Sequence, residues 1–178
     1  MEVYERIKSY SQKCINGEII SCKKHKWACQ RFLSDAEKFE NDPEYPYYWS
    51  EEAAQNIIDW FALLRHSKGV LVGKPIHLTN WQQFRICQIY GWKRKKNGMR
   101  RFRKTFTEVA RKNAKSQEEA GVALYEISVM STKDNEIYEM YTAGVKRDQS
   151  KIVFNEAGLM LRGSPLRKKF NVTRDSIT

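Results

Sequence analysis

The sequence contains no apolar run that approaches the ~20 residues needed to cross a bilayer. Its first ten residues, MEVYERIKSY, have no apolar signal core, so we expect neither secretion nor insertion into a membrane. Four cysteines among 178 residues are too few for the disulfide scaffold of a small secreted protein. The simplest interpretation is a protein of the reducing cytosol with free thiols.

Motifs of several enzyme classes are also missing from the sequence. There is no HExxH motif of a zinc protease and no nucleophile elbow, and the three histidines are scattered through the first half of the chain. No CxxC pair occurs either. Cys22, His25 and Cys29 could share one side of a helix, with Cys14 as a fourth ligand, so a zinc site is one interpretation. Small buried thiols are the simpler one.

The residues that are present favour a folded, strongly basic protein. Hydrophobic residues make up 41% and aromatic residues 12%, which is enough for a core and excludes a disordered basic tail. Residues 93–104, KRKKNGMRRFRK, carry +8 of the net charge of +11. Asn97-Gly98 within them predicts a hairpin turn, because both residues tolerate positive φ. This basic hairpin is either a solvated ribbon or a surface that binds the phosphates of nucleic acid or nucleotide.

Hydrophobic periodicity predicts three helices in the first 65 residues, over 4–15, from a Ser21 cap to residue 39, and from a Ser50 cap to about residue 66. The aromatic segment between the last two, 43–49, is interpreted as a loop whose rings contact the core, with base stacking as the alternative. After Gly69, predicted strands (70–72, 105–110, 136–143) alternate with predicted helices (79–91, 115–130, 148–163). Such alternation is typical of a parallel α/β sheet. The predicted domains are therefore a helical region, 1–65, and an α/β region, 66–178.

A candidate phosphate-binding loop, RKNAKS, lies at residues 111–116, between a predicted strand and a predicted helix. Such a loop presents backbone N–H groups to phosphates, a Lys to the terminal phosphates and a Ser or Thr hydroxyl to Mg²⁺. The GxxxxGK[ST] pattern is not met, because Val109 and Ala114 occupy the glycine positions. Ala at positive φ costs about 1 kcal/mol. The residues alone leave open a nucleotide site or an ordinary basic helix start.

A set of segments, in the same order along the chain, resembles the large terminase subunit of tailed bacteriophages. The resemblance spans roughly residues 4–165 and is carried by their combination. The matching segments are residues 23–35, LTNWQQF at 78–84, YGW at 90–92, RFR at 101–103, VARKNAKS at 109–116, RDQ at 147–149 and IVF at 152–154.

The resemblance implies an ATP-driven motor that packages double-stranded DNA. Its fold would be an N-terminal ATPase domain of the RecA-like P-loop type, a parallel sheet flanked by helices, followed by a nuclease domain. By resemblance, Lys115 would bind the β- and γ-phosphates, Ser116 would hold Mg²⁺, and Arg111 would act on the γ-phosphate as the catalytic residue. Gln82 matches a glutamine that recognises adenine. The rest of the ATP-binding loop would be Lys112, Asn113 and Ala114.

The resemblance also implies partners: double-stranded DNA, the small terminase subunit and the portal protein, in a homo-oligomeric motor of the host bacterial cytoplasm. The charge of the basic hairpin fits DNA. Hydrolysis needs a carboxylate pair at the end of a buried strand. The nearest match, Ile57-Ile58-Asp59, lies within a helical stripe. We therefore expect the N-terminal part of the ATPase domain, without its later strands and the nuclease domain, and ATP binding is predicted more strongly than hydrolysis.

Two interpretations of other classes remain beside the motor. The first is a non-enzymatic module that binds nucleic acid through the basic hairpin, for which ATP would be irrelevant. The second is a structural adaptor whose N-terminal helices dock other motor subunits.

Overall fold

The computed structural model describes residues 2–178 and is rich in helix. The α-helices of this part of the chain are α1 (Val3–Asn16), α2 (Lys23–Asn41), α3 (Glu51–Leu63), α4 (Asn80–Gly91), α5 (Lys115–Tyr125), α6 (Ser131–Asp134) and α7 (Arg147–Arg162). A π-helical segment, Glu126–Met130, joins α5 to α6, and short 3₁₀ segments lie at Gly69–Leu71 and Pro165–Lys169. The strands are β1 (Tyr47–Trp49) and β2 (Trp92–Arg94). No helix among these residues is both long and apolar enough to span a membrane.

The chain contains two compact units. One combines the chain up to Ile58 with Leu78–Phe106, and the other combines Asp59–His77 with Thr107–Thr178. The division expected from the sequence, 1–65 and 66–178, stays a prediction.

The first unit is built around an aromatic core. Its helix α1 packs against α2 and α4. Phe32 of α2 is fully buried, and the ring centroids of Tyr4, Trp49, Phe84 and Trp92 lie 5.9–6.2 Å from its own. Offset and edge-to-face pairs of this kind are favourable beyond the area that they bury. The prediction that aromatic rings of residues 43–49 contact the core is therefore confirmed, although residues 47–49 form a strand rather than a loop.

The helices of the first unit are close to those predicted, because their ends carry local signals. Gly17, at φ 84°, ends α1 in the left-handed conformation that glycine adopts without a steric penalty. Thr79 and Gln82 form a capping box at the start of α4. Ser50 accepts a hydrogen bond from Ala53 N–H at 3.3 Å, as predicted. At α2 the cap position is occupied by Cys22, one residue after the predicted Ser21.

In the second unit, α5 packs against α7. The indole N–H of Trp60 donates to the carbonyl oxygen of Gly121 on α5 at 2.9 Å. A Cβ atom at Gly121 would lie only 2.3 Å from Cε1 of Phe61, so the absence of a side chain allows this close approach. The helix predicted over 115–130 forms as α5 and its π-helical extension, and the last predicted helix forms as α7.

The predicted parallel sheet is not found in residues 2–178, and this expectation is corrected. The sheet that forms there is two-stranded and antiparallel, with Trp49 opposite Trp92. Val70 lies in a 3₁₀ segment, and residues 105–110 and 136–143 form no strand. The Phe106 and Ile137 side chains are 87% and 93% exposed. Aromatic and β-branched residues give a local strand preference, but a strand also needs a neighbour to complete its hydrogen bonds.

Candidate phosphate-binding site

The loop of residues 111–116 turns sharply before α5. Lys112 has φ 68° and Ala114 has φ 55°, so two non-glycine residues adopt the left-handed conformation within three positions. The Asn113 amide nitrogen donates to the carbonyl oxygens of Ala110 at 3.1 Å and Arg111 at 3.3 Å. These two hydrogen bonds hold the turn closed. At φ 55°, Ala114 adopts the conformation that is expected to cost alanine about 1 kcal/mol.

The loop leads into a helix start without a side-chain cap. Ala114 is the N-cap residue of α5, and the first intrahelical hydrogen bond joins Glu118 N–H to the Ala114 carbonyl at 2.9 Å. The N–H groups of Lys115, Ser116 and Gln117 therefore have no partner within the helix. They form the positive end of the helix dipole, where an anion is favoured.

Positive charge is concentrated at this helix start. Arg111, Lys112 and Lys115 are exposed, and Ser116 is half-buried. In residues 2–178 no carboxylate forms an ion pair with these three cations. The three cations repel one another, and each is also repelled by the partial positive charge at the start of α5. An anion bound there would reduce both repulsions. This arrangement suits the binding of a phosphate group. The half-buried Ser116, which follows Lys115 in the chain, adds a hydroxyl group at the same helix start.

Gln82, the expected adenine-recognising residue, has a structural role at the start of α4. Its Oε1 accepts hydrogen bonds from the Thr79 N–H at 3.0 Å and the Thr79 hydroxyl at 2.8 Å, and only 9% of the residue is exposed. Gln82 belongs to the first unit, whereas residues 111–116 belong to the second. The structure thus brings together the six loop residues, and the role of Gln82 in adenine recognition stays a prediction.

A hairpin forms where it was predicted, but its turn spans residues 95–98 rather than Asn97-Gly98 alone, and of that pair only Gly98 has a positive φ. Its two arms are joined by hydrogen bonds from Arg94 N–H to the Met99 carbonyl and from Arg101 N–H to the Trp92 carbonyl, both at 2.9 Å. Gly98 closes the turn with φ 67°. Several of its cations are exposed, namely Arg94, Lys95, Lys96, Arg103 and Lys104.

One hairpin residue has a role that the sequence did not indicate. Arg101 Nη1 lies 2.9 Å from Asp35 Oδ2 and 2.8 Å from the Tyr45 hydroxyl, and its guanidinium carbon lies 4.3 Å from the Tyr47 ring centroid. The arginine is therefore enclosed at the base of the hairpin. Since Asp35 lies 66 residues earlier on α2, no local sequence pattern could have found this pair.

The other candidate ligands can also be placed. Asp59 lies in α3, so the segment Ile57-Ile58-Asp59 is helical as expected. Of the cysteines considered for zinc, Cys22 is exposed at the start of α2, whereas Cys14 and Cys29 are buried. The donor atoms of Cys14, His25 and Cys29 lie within 4.8 Å of one another. Cys22 is thus not part of this cluster.

Comparison with known proteins gives one family. The family model described as "Terminase large subunit, ATPase domain" matches residues 80–178, which is more than half of the chain. The matched range contains α4, the basic hairpin and the loop of residues 111–116. No curated protein and no solved structure matches the chain.

Proposed function

The chain belongs to the family of the terminase large subunit ATPase domain, and from this premise we propose that residues 111–116 bind ATP to drive translocation of double-stranded DNA in the complete motor. The observation that carries the proposal is the uncapped start of α5 behind a turn with two positive-φ residues. A phosphate group would satisfy the free N–H groups of Lys115 and Ser116 and neutralise the surrounding cations.

Each residue of the loop would make a different contact with Mg·ATP. The Lys115 ammonium would contact the β- and γ-phosphates, Arg111 the γ-phosphate as the catalytic residue, and the Ser116 hydroxyl would hold Mg²⁺. The backbone of Lys112, Asn113 and Ala114 would surround the phosphates. Mg²⁺, bound together with ATP, would neutralise phosphate charge. The exposed side of the loop leaves room for a ligand, and Gln82 is the proposed contact to adenine.

The same proposal includes the fold of the ATPase domain and the partners of the motor. We propose a RecA-like parallel sheet in the assembled motor, in which residues 105–110 and 136–143 find strand neighbours. The strand-favouring composition of both segments supports this. The proposed partners are double-stranded DNA, the small terminase subunit and the portal protein, in a homo-oligomer of the host bacterial cytoplasm; the family supports these in general terms.

Calorimetric titration with Mg·ATP tests the proposal directly. We expect the wild-type chain to bind one ATP and Lys115→Ala to lose at least about tenfold in affinity, because a charge-assisted contact contributes roughly 1.5–3 kcal/mol. Lys133→Ala is the matched control, since Lys133 is an exposed lysine on α6 at the far end of the same helical segment. Equal affinities for wild type and Lys115→Ala would remove the assignment of the loop.

A second candidate function is nucleic-acid binding by the basic hairpin without ATP. It is favoured by the five exposed cations on a hairpin that backbone hydrogen bonds define. Phosphate contacts of this kind give an affinity that falls steeply with salt.

Salt-dependent DNA binding separates the two functions. The double variant Lys95→Gln/Lys96→Gln should reduce the slope of log K against log salt by about 2, because each lost phosphate contact removes about 0.9. Lys168→Gln/Lys169→Gln, an adjacent exposed lysine pair in the second unit, should leave the slope unchanged. An unchanged slope in the hairpin variant would exclude the hairpin as the DNA surface, and DNA binding without any ATP binding would favour the second function over the first.

A further inference from the structure

The first unit contains a cluster of soft metal ligands away from the phosphate-binding loop. Cys14 lies in the last turn of α1, and His25 and Cys29 lie one turn apart on α2, the helix that packs against α1. The two sulfur atoms and a ring nitrogen all lie within 4.8 Å of one another. Two helices thus direct three donor side chains to one point.

The spacing of these donors is close to that of a zinc site. With Zn–S bonds of about 2.3 Å, two thiolates of a tetrahedral site lie about 3.8 Å apart. The separations in the cluster exceed this by about 1 Å at most, which side-chain rotation can close. Cys14 and Cys29 are fully buried and His25 is half-buried, so a metal would enter past the imidazole.

A neighbouring hydroxyl contacts the imidazole of this cluster. The Tyr10 Oη atom lies 3.0 Å from Nε2 of His25, and Tyr10 is one helical turn before Cys14 on α1. The site therefore consists of two i, i+4 pairs that face each other: Tyr10 with Cys14, and His25 with Cys29. Metal-binding histidines are commonly oriented by such a second contact.

Metal binding at this cluster would be coupled to proton release, because thiols bind a divalent cation as thiolates and their protons pass to solvent.

We propose that Cys14, His25 and Cys29 bind one Zn²⁺ ion that joins α1 to α2, with the Tyr10 hydroxyl beside the fourth coordination position. Its donors are side chains of two packed helices, so the bound ion would link α1 to α2. It is independent of the proposed ATP site, which lies in the other unit.

The test uses the full chain without an affinity tag, reduced, and titrated with Co²⁺ as a spectroscopic probe and then with Zn²⁺. The wild type should show thiolate-to-cobalt charge-transfer absorption that saturates at one equivalent and disappears when Zn²⁺ displaces the cobalt. Zn²⁺ should also raise the Tm, because a ligand that binds only the native state stabilises it. Cys29→Ser should lose the absorption and the Tm shift. Cys22→Ser, at an exposed cysteine that begins the same helix, should keep both.

Because Cys29→Ser could fail to fold, His25→Gln provides a second variant at a half-buried position. If its circular dichroism matches that of the wild type, it should bind Co²⁺ at least tenfold more weakly. Absence of charge-transfer absorption in the folded wild type would overturn the proposal. The proposal would also be overturned if Cys22→Ser lost this absorption while Cys29→Ser kept it. A Cys14–Cys29 disulfide that persists under mild reduction would also overturn it.

Discussion

The guanidinium of Arg101 and the carboxylate of Asp35 form a largely buried ion pair in which Nη1 lies 2.9 Å from Oδ2. The Tyr45 hydroxyl joins both partners: it donates to Asp35 Oδ1 at 2.7 Å and accepts from Arg101 Nη1 at 2.8 Å. This network ties the basic hairpin to α2. Arg101 therefore stabilises the fold rather than offering its charge to a ligand.

Arg101→Met should destabilise the first unit strongly. The substitution keeps much of the side-chain volume but leaves Asp35, 5% exposed, without its cation. Breaking a buried pair in this way costs about 3–5 kcal/mol. The measurement is urea unfolding followed by tryptophan fluorescence. Arg103→Met, an exposed neighbour, should change stability by less than about 0.5 kcal/mol. Equal effects of the two variants would contradict a structural role for Arg101.

Gly121→Ala should destabilise the second unit. The added Cβ would lie 2.3–3.1 Å from three ring atoms of Phe61, so the ring or α5 must move. Overpacking of this kind costs about 1–3 kcal/mol.

Gly158→Ala is the matched control in a second helix of the same unit. A Cβ at Gly158 meets Val172 Cγ1 at 3.6 Å, which is ordinary contact. The helix preference of alanine should therefore stabilise this variant by up to about 1 kcal/mol. Thermal unfolding of the two variants should shift in opposite directions; a Tm for Gly121→Ala at or above that of the wild type would show that the Phe61 contact is not tight.

Ala114→Gly should relieve backbone strain in the phosphate-binding loop. Ala114 has φ 55°, where an L-residue with a Cβ is disfavoured and glycine is not. We expect a gain of up to about 1 kcal/mol in stability and, under the proposed function, tighter ATP binding.

Ala123→Gly, in the interior of α5, is the control and should instead lose about 1 kcal/mol. Denaturant unfolding of both variants measures the predicted changes in stability. Titration with ATP measures the predicted change in affinity. Loss of stability in Ala114→Gly would mean that positive φ carries no strain at this position.

The sequence predicted the parts of the fold that depend on local signals. The periodic stripe and capping residues placed α1, α3 and α4 within a few residues, and Asn97-Gly98 placed the hairpin. These features depend on residues at most a few positions apart, where helix and turn preferences act.

Features that depend on distant partners were not predictable. Residues 105–110 have the composition of a strand but no ladder partner in residues 2–178, so the predicted parallel sheet does not form among these residues. The Arg101–Asp35 pair joins residues 66 positions apart, and the exclusion of Cys22 from the cysteine cluster required the packing of α1 on α2. Such contacts are set by tertiary packing, about which a local pattern carries no information.

Thiol labelling should show one cysteine that reacts rapidly, whereas the buried cysteines should react slowly. Cys22 is exposed, whereas burial raises the pKa values of Cys29 and Cys87 to about 12. Since the thiolate is the reactive form, a raised pKa keeps these two thiols protonated and slow to react between pH 7 and 9.

In the metal-free native chain at pH 8, a disulfide reagent should react rapidly with one thiol per chain. The other thiols should react at least about tenfold more slowly, because their reaction requires local opening. Cys22→Ser should remove the fast phase, whereas Cys87→Ala should leave it intact. A fast phase of two or more thiols in native Cys22→Ser would show that the core around Cys29 and Cys87 opens readily to solvent.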